Sequence, residues 1–186
     1  MKFSLALTAA ALFASASAFT IKFDNKCSYA VWPAIGKAPN GQPDPSVAHG
    51  AKLAAGKSIS WSVADTQIGI RAWGRTGCAD NGTGCKTGGC NGGMVCTDGG
   101  ITAGVILSEY GYADFGAQYG GKRISWDLSH VDSSINLATG LHASDGQSVR
   151  CASGNCPANQ AYNSATDYAA DRNSPLGATF THTFCA

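Results

Sequence analysis

The sequence predicts an all-β protein, a sandwich of short strands whose loops are held by disulfides. Three observations carry that prediction. Many short segments alternate apolar and polar residues with period two, and turn residues separate them. No window shows convincing helical periodicity. Eight cysteines are present, and those at 78, 85, 90 and 96 fall among closely spaced glycines. A stretch of that kind has almost no apolar surface to bury, so cross-links must hold it.

The segments follow in order. Phe19, Ile21 and Phe23 alternate with Thr20, Lys22 and Asp24, a half-buried strand. Tyr29 to Pro33 is a second strand, with proline expected to stop it. Ile35 to Lys52 carries prolines, glycines and an Asn-Gly and reads as a long surface loop. Within Leu53 to Val63, Ile59, Trp61 and Val63 share one face, opposite Ser58, Ser60 and Ser62. Ile68, Ile70 and Ala72 alternate with Arg71 and Trp73, so Arg71 points away from the isoleucines. Cys78 to Gly100 is loop and turn, and Val105 to Tyr110 returns to strand. Ile124, Trp126 and Leu128 oppose Ser125, Asp127 and Ser129. Ile135 to Leu141 is a further strand, and Phe180, His182 and Phe184 alternate with threonines to close the chain.

Residues 1–18 have the pattern of a signal peptide: Lys2, an apolar run from Phe3 to Ala14, and the triplet Ala16-Ser17-Ala18. Cleavage after Ala18 is expected, leaving a single domain over 19–186. The run is shorter than the about 20 apolar residues that span a bilayer, and no later segment reaches that length. A secreted, extracellular protein with no membrane partner is therefore expected. Without Lys2, basic and acidic residues are equal in number, which leaves no basic stripe for nucleic acid. Nothing in the charge pattern points to an oligomer, and a monomer is expected.

An even number of cysteines in an oxidising compartment predicts four disulfides. Cys27 and Cys185 each follow a terminal strand, and a bond between them would join the two ends of the domain. The near pairs Cys78–Cys85 and Cys90–Cys96 would staple the glycine-rich segment, which leaves Cys151–Cys156. Spacing alone leaves the pairing open. The cysteine intervals are not those of zinc modules, and His49, His130, His142 and His182 are scattered. No metal and no cofactor is expected. Asn81-Gly82-Thr83 is an N-glycosylation sequon on a predicted surface loop.

The pattern GRTGC-x₆-C-x-TG-x-C-x-GG-x-x-C, from Gly74 to Cys96, resembles the signature of thaumatin-like proteins, the pathogenesis-related family 5. Asn25 to Ala34 is similar to that family's "N-x-C-x-Y-T-V-W-x-A", and Leu53 to Trp61 to its "L-x-x-G-x-S-x-x-W". Leu107-Ser108-Glu109-Tyr110 resembles "L-A-E-[YF]". Trp126 to Asp132 resembles "[YFW]-D-[IV]-S-x-[VI]-D", and Thr179 to Cys185 the closing "Y-x-V-x-F-C". The resemblance implies a flattened antiparallel β-sandwich and the terminal and two near disulfides, but adds nothing for Cys151 and Cys156. Cys156 leads almost directly to the closing strand, so the chain resembles a short form lacking most of the second, loop-rich domain. Two departures stand out. Gly89 replaces the family's acid and is followed by an extra Asn91, and Ser133-Ser134 follow Asp132 in place of Gly-Phe.

Glu109 is the only glutamate, at the end of an apolar strand. Asp127 is on the polar face of its strand, and Asp132 joins it only if the strand ends or bends between them. The resemblance implies a cleft lined by Arg71, Glu109, Asp127 and Asp132, with a further aspartate that is either Asp167 or Asp171. It implies β-1,3-glucan, or another cell-wall polysaccharide, as the ligand. If the cleft hydrolyses glucan, Glu109 is the expected acid and Asp127 its partner, an endo-β-1,3-glucanase pair. Tyr110, Tyr112, Phe115 and Tyr119 offer flat faces for sugar rings. The competing reading makes Arg71 a pin for loop carbonyls, the tyrosines core and Asp80 a turn residue. A third alternative is an inhibitor of secreted enzymes such as xylanase, acting through Ile35 to Lys52.

Overall fold

The computed structural model describes residues 17–38 and 42–186, so the expected signal peptide lies outside the described residues except for Ser17 and Ala18. Two sheets face each other. One has the order β4-β1-β11-β8-β9 and the other β10-β7-β6-β5-β2-β3. The strands are β1 (Ala18–Asn25), β2 (Val31–Lys37), β3 (His49–Gly50), β4 (Ser58–Ala64), β5 (Ile70–Thr76) and β6 (Leu107–Asp114). They continue as β7 (Lys122–Ser129), β8 (Thr139–Ala143), β9 (Ser148–Cys151), β10 (Arg172–Pro175) and β11 (Thr179–Phe184). Named pairings are antiparallel except one: β1 and β11 run parallel, with Phe23 opposite His182. No helix among the described residues is long and apolar enough to cross a membrane.

The alternating segments supply the core. Phe19, Ile21 and Phe23 of β1 and Phe180 and Phe184 of β11 meet Tyr110, Ile124, Trp126 and Leu128 from the opposing sheet. Tyr110 packs 5.0 Å from the Phe180 ring, centroid to centroid. Between the sheets, Tyr110 donates to Ser108 Oγ at 3.0 Å, and Ser108 Oγ lies 2.8 Å from His182 Nδ1. The buried hydroxyls and the Nδ1 of the ring thus satisfy one another inside an apolar layer. Burial lowers the His182 pKa to about 3, so the ring stays neutral.

Several segments differ from expectation. Pro33, expected to stop β2, sits inside it opposite Gly74. Its carbonyl accepts from Ala51 N at 3.3 Å, on the side of the short edge strand β3, where a missing N–H costs little. Ile35 to Lys52 is therefore not all loop: Ile35 to Lys37 is strand, and β3 returns to pair with it. Ile68 is exposed beyond the start of β5. The expected Ile135–Leu141 strand forms later, as β8, and β3, β9 and β10 carry no alternation that announces them.

The disulfides are Cys27–Cys185, Cys78–Cys85, Cys90–Cys96 and Cys151–Cys156. The glycine-cysteine segment layers onto the outer face of the β5-containing sheet. There Cys96, Ala103 and Val105 cover Ala34 and Trp73 in a second small core. Arg75, fully buried, anchors that layer. It donates to Trp32 O at 3.0 Å, Gly93 O at 2.6 Å and Met94 O at 2.8 Å. Asn81 is exposed on the Cys78–Cys85 loop, and its side-chain oxygen accepts from Thr83 Oγ1 at 2.7 Å. Asp80 pairs with Lys52 at 2.6 Å.

Candidate functional site

Three neighbouring strands place three ionisable residues in one row. Arg71 of β5 is directly opposite Glu109 of β6, and Glu109 is directly opposite Asp127 of β7. The alternation of each strand dictates the row. Ile70, Ala72, Ser108, Tyr110, Trp126 and Leu128 are all buried. The residues between them therefore face outward, away from the sandwich core. Side chains of directly opposed residues start roughly 4.5–5.5 Å apart, so the two carboxyls are close neighbours.

The two acids have different surroundings. Arg71 Nε donates to Glu109 Oε1 at 3.1 Å, and both side chains are about a third exposed. Asp127 has no such cation. Its Oδ1 is buried and has no hydrogen-bond partner among the described residues. Burial first, then the charges of Glu109 and Asp171, push its pKa up to about 8. At neutral pH the floor of the site therefore holds an ion-paired carboxylate beside a carboxylic acid.

Asp171 closes the row. It precedes β10, and the register Arg172 opposite Trp126 brings it alongside Asp127. It accepts from the Tyr162 hydroxyl at 2.7 Å, and burial together with Asp171 raises the Tyr162 pKa. Asp167 is occupied elsewhere, accepting the backbone N–H groups of Asn163 and Ser164 at 2.9 Å each. Of the two aspartates left open by the sequence, Asp171 is the one beside Asp127, and neither of them lines the cavity.

β7 ends at Ser129 and the chain turns, with Asp132 at φ 51°. That turn brings Asp132 to the rim, on the same side as Asp127. Arg71, Glu109, Asp127 and Asp132 line one cleft of about 510 Å³. Ile101 and Val105 of the glycine-cysteine layer line it together with Ser133, Tyr162 and Ala165.

The expected aromatic platform is absent from this cleft. Tyr110 is core, and Tyr112 shares its face of β6. Phe115 and Tyr119 are exposed near the turn between β6 and β7, and none of the four lines the cavity. Tyr162 is the aromatic residue present instead. It is held by backbone bonds to the end of β7, Tyr162 N to Leu128 O at 2.8 Å and His130 N to Tyr162 O at 3.0 Å. A single bridging residue leaves no period in the sequence, so no local pattern announces it.

The family profile described as Thaumatin family matches residues 25–185. Thaumatin-like protein PWIR2 of Triticum aestivum is 34% identical over 167 residues, covering 89% of this chain and 87% of that protein. Thaumatin-like pathogenesis-related protein 3 of Avena sativa is 37% identical over 168 residues, covering 89% and 86%. Among solved structures, a thaumatin-like xylanase inhibitor superposes with a TM-score of 0.60 at 22% identity, covering 89% of this chain and 99% of that one.

Proposed function

Because this chain belongs to the thaumatin family, we propose that it is a secreted protein that recognises β-1,3-glucan of cell walls in the acidic cleft, with an antifungal or wall-remodelling role. The in-register row Arg71–Glu109–Asp127, open to a cleft of about 510 Å³, carries this reading. The row offers a guanidinium donor, a carboxylate acceptor and a protonated carboxyl that can donate. Together they meet the donor and acceptor hydroxyls of a sugar. Four disulfides fit an oxidising compartment. In this reading residues 1–18 are removed on export, and exposed Asn81 carries an N-glycan.

One observation favours hydrolysis as a second reading. Asp127 retains a proton at neutral pH while Glu109 across the strand pair is ion-paired, and a retaining glycosidase needs two carboxyls about 5–5.5 Å apart. The roles are then the reverse of those expected from the sequence: Asp127 is the acid and Glu109 the nucleophile.

Retention on insoluble β-1,3-glucan tests binding. Wild type is expected to sediment with the polysaccharide, and Glu109→Gln to lose at least ten-fold in affinity. Reducing-sugar release from laminarin, abolished in Asp127→Asn, would establish the enzyme. Inhibition of a xylanase with no retention on glucan would overturn both readings in favour of the inhibitor.

A further inference from the structure

A second cavity, of about 390 Å³, opens at another edge of the disulfide-stapled layer, where β2 begins and β5 ends. Tyr29, Trp32, Thr76, Gly77, Lys86 and Asn136 line it. Two of these residues carry buried polar atoms with no hydrogen-bond partner, Trp32 Nε1 and Asn136 Oδ1. Among the described residues, the only other atoms in that state are Asp127 Oδ1 in the acidic cleft and His182 Nε2 in the core. Folded proteins satisfy nearly all their buried polar groups, and a donor or acceptor left bare costs about 1–3 kcal/mol. Both atoms belong to residues that line one cavity but are closed to solvent, so a ligand group that meets this bare donor and bare acceptor reaches them only once exposed side chains of the lining move.

Neighbouring contacts fix the chemistry of the two atoms. Asn136 Nδ2 donates to Gly74 O and to Thr87 Oγ1, both at 2.9 Å. Two acceptors on that nitrogen leave the amide oxygen as the free end. Trp32 is 6% exposed. The Lys52 ammonium sits 5.4 Å from its ring centroid and pairs with Asp80, holding the indole in place. Tyr29 presents an aromatic wall, 49% exposed. Lys86 is exposed and makes no ion pair among the described residues.

A hydroxyl accepts from an indole N–H and donates to an amide oxygen at once. A ring that carries hydroxyls on its edge and C–H groups on its face also packs on an exposed tyrosine. We propose that this cavity is a second carbohydrate site, separate from the acidic cleft, that takes one pyranose unit of a polysaccharide. Its hydroxyls bridge Trp32 Nε1 and Asn136 Oδ1, its face lies on Tyr29, and the exposed Tyr29 and Lys86 side chains move aside to admit it. Lys86 adds a partner for an acidic sugar. The proposal does not depend on what the acidic cleft binds.

The test is a titration of the ¹⁵N-labelled protein, separately with laminaritriose and with tri-galacturonate. The Trp32 indole N–H and Asn136 side-chain signals are expected to shift and saturate. Tyr29→Ala, a change at an exposed wall, is expected to weaken that response at least ten-fold, whereas Glu109→Gln leaves it intact. A response to both sugars assigns binding to the hydroxyls, and a response to tri-galacturonate alone assigns the carboxylate to Lys86. Trp32 and Asn136 unmoved by either sugar overturn the proposal. Shifts confined to Arg71, Glu109 and Asp127 also overturn it while leaving the cleft reading in place.

Discussion

Asp127 is a carboxyl in surroundings that penalise its charge. Its pKa of about 8 compares with 3.8 for the free side chain, the shift due to burial first and then to Glu109 and Asp171. Between those values the folded protein keeps a proton that the unfolded chain releases, so stability falls as pH rises from about 4 to 8. Asp127→Asn removes the penalty. Thermal denaturation should show the variant more stable than wild type by about 1–3 kcal/mol at pH 8, with the difference vanishing near pH 3.5. Arg75 carries the opposite lesson. Alternation puts it on the same outward face as Arg71, but alternation does not say which part of that face another layer covers. The structure divides the two roles. Arg71 pairs with Glu109 in the open cleft, while Arg75 lies under the glycine-cysteine layer and pins its carbonyls. Arg75→Leu should therefore cost more than about 3 kcal/mol in chemical denaturation, because several buried carbonyls lose their donor together.

At the level of elements, the row Arg71–Glu109–Asp127 follows from register. A slip of one residue between β6 and β7 would send Asp127 into the core and Trp126 into the cleft. This part was legible, because Ile124, Trp126 and Leu128 mark the buried face of β7 without ambiguity. The lining beyond that row was not. Tyr162 is attached through backbone bonds that any residue could make, and β10, which pairs with β7 beside it, reads Arg-Asn-Ser-Pro with no alternation. For the same reason the sequence left Asp167 and Asp171 as equals. Docking of the glycine-cysteine layer depends on close backbone approach. A Cβ at Gly50 would stand 1.9 Å from the Met94 carbonyl oxygen. Gly50→Val should force the layer off β3, lower stability by about 1–3 kcal/mol and open the Met94 region to limited proteolysis, while far-ultraviolet circular dichroism of the sheets stays unchanged.

Taken whole, the molecule is two sheets closed on one core, with its first and last long strands side by side near the middle of one sheet. The paired ends were partly legible: Cys27 and Cys185 each follow a terminal strand, and their linkage suggests itself. That the strands would be parallel neighbours was not, since period-two alternation carries no information about direction. The Cys27–Cys185 bond spans 158 residues of sequence. It also determines how the molecule bears mechanical load. Tension applied at Phe19 and Ala186 runs along β1 to Cys27, crosses the sulfur bridge and leaves at Cys185. The intervening chain, which holds both cavities, carries none of it. Stretching single oxidised molecules should release only residues 19 to 27, roughly 3 nm at about 3.5 Å per residue. Reduced molecules should pay out the whole chain, on the order of 60 nm. Pulled at its ends, the oxidised protein would thus keep both cavities at rest.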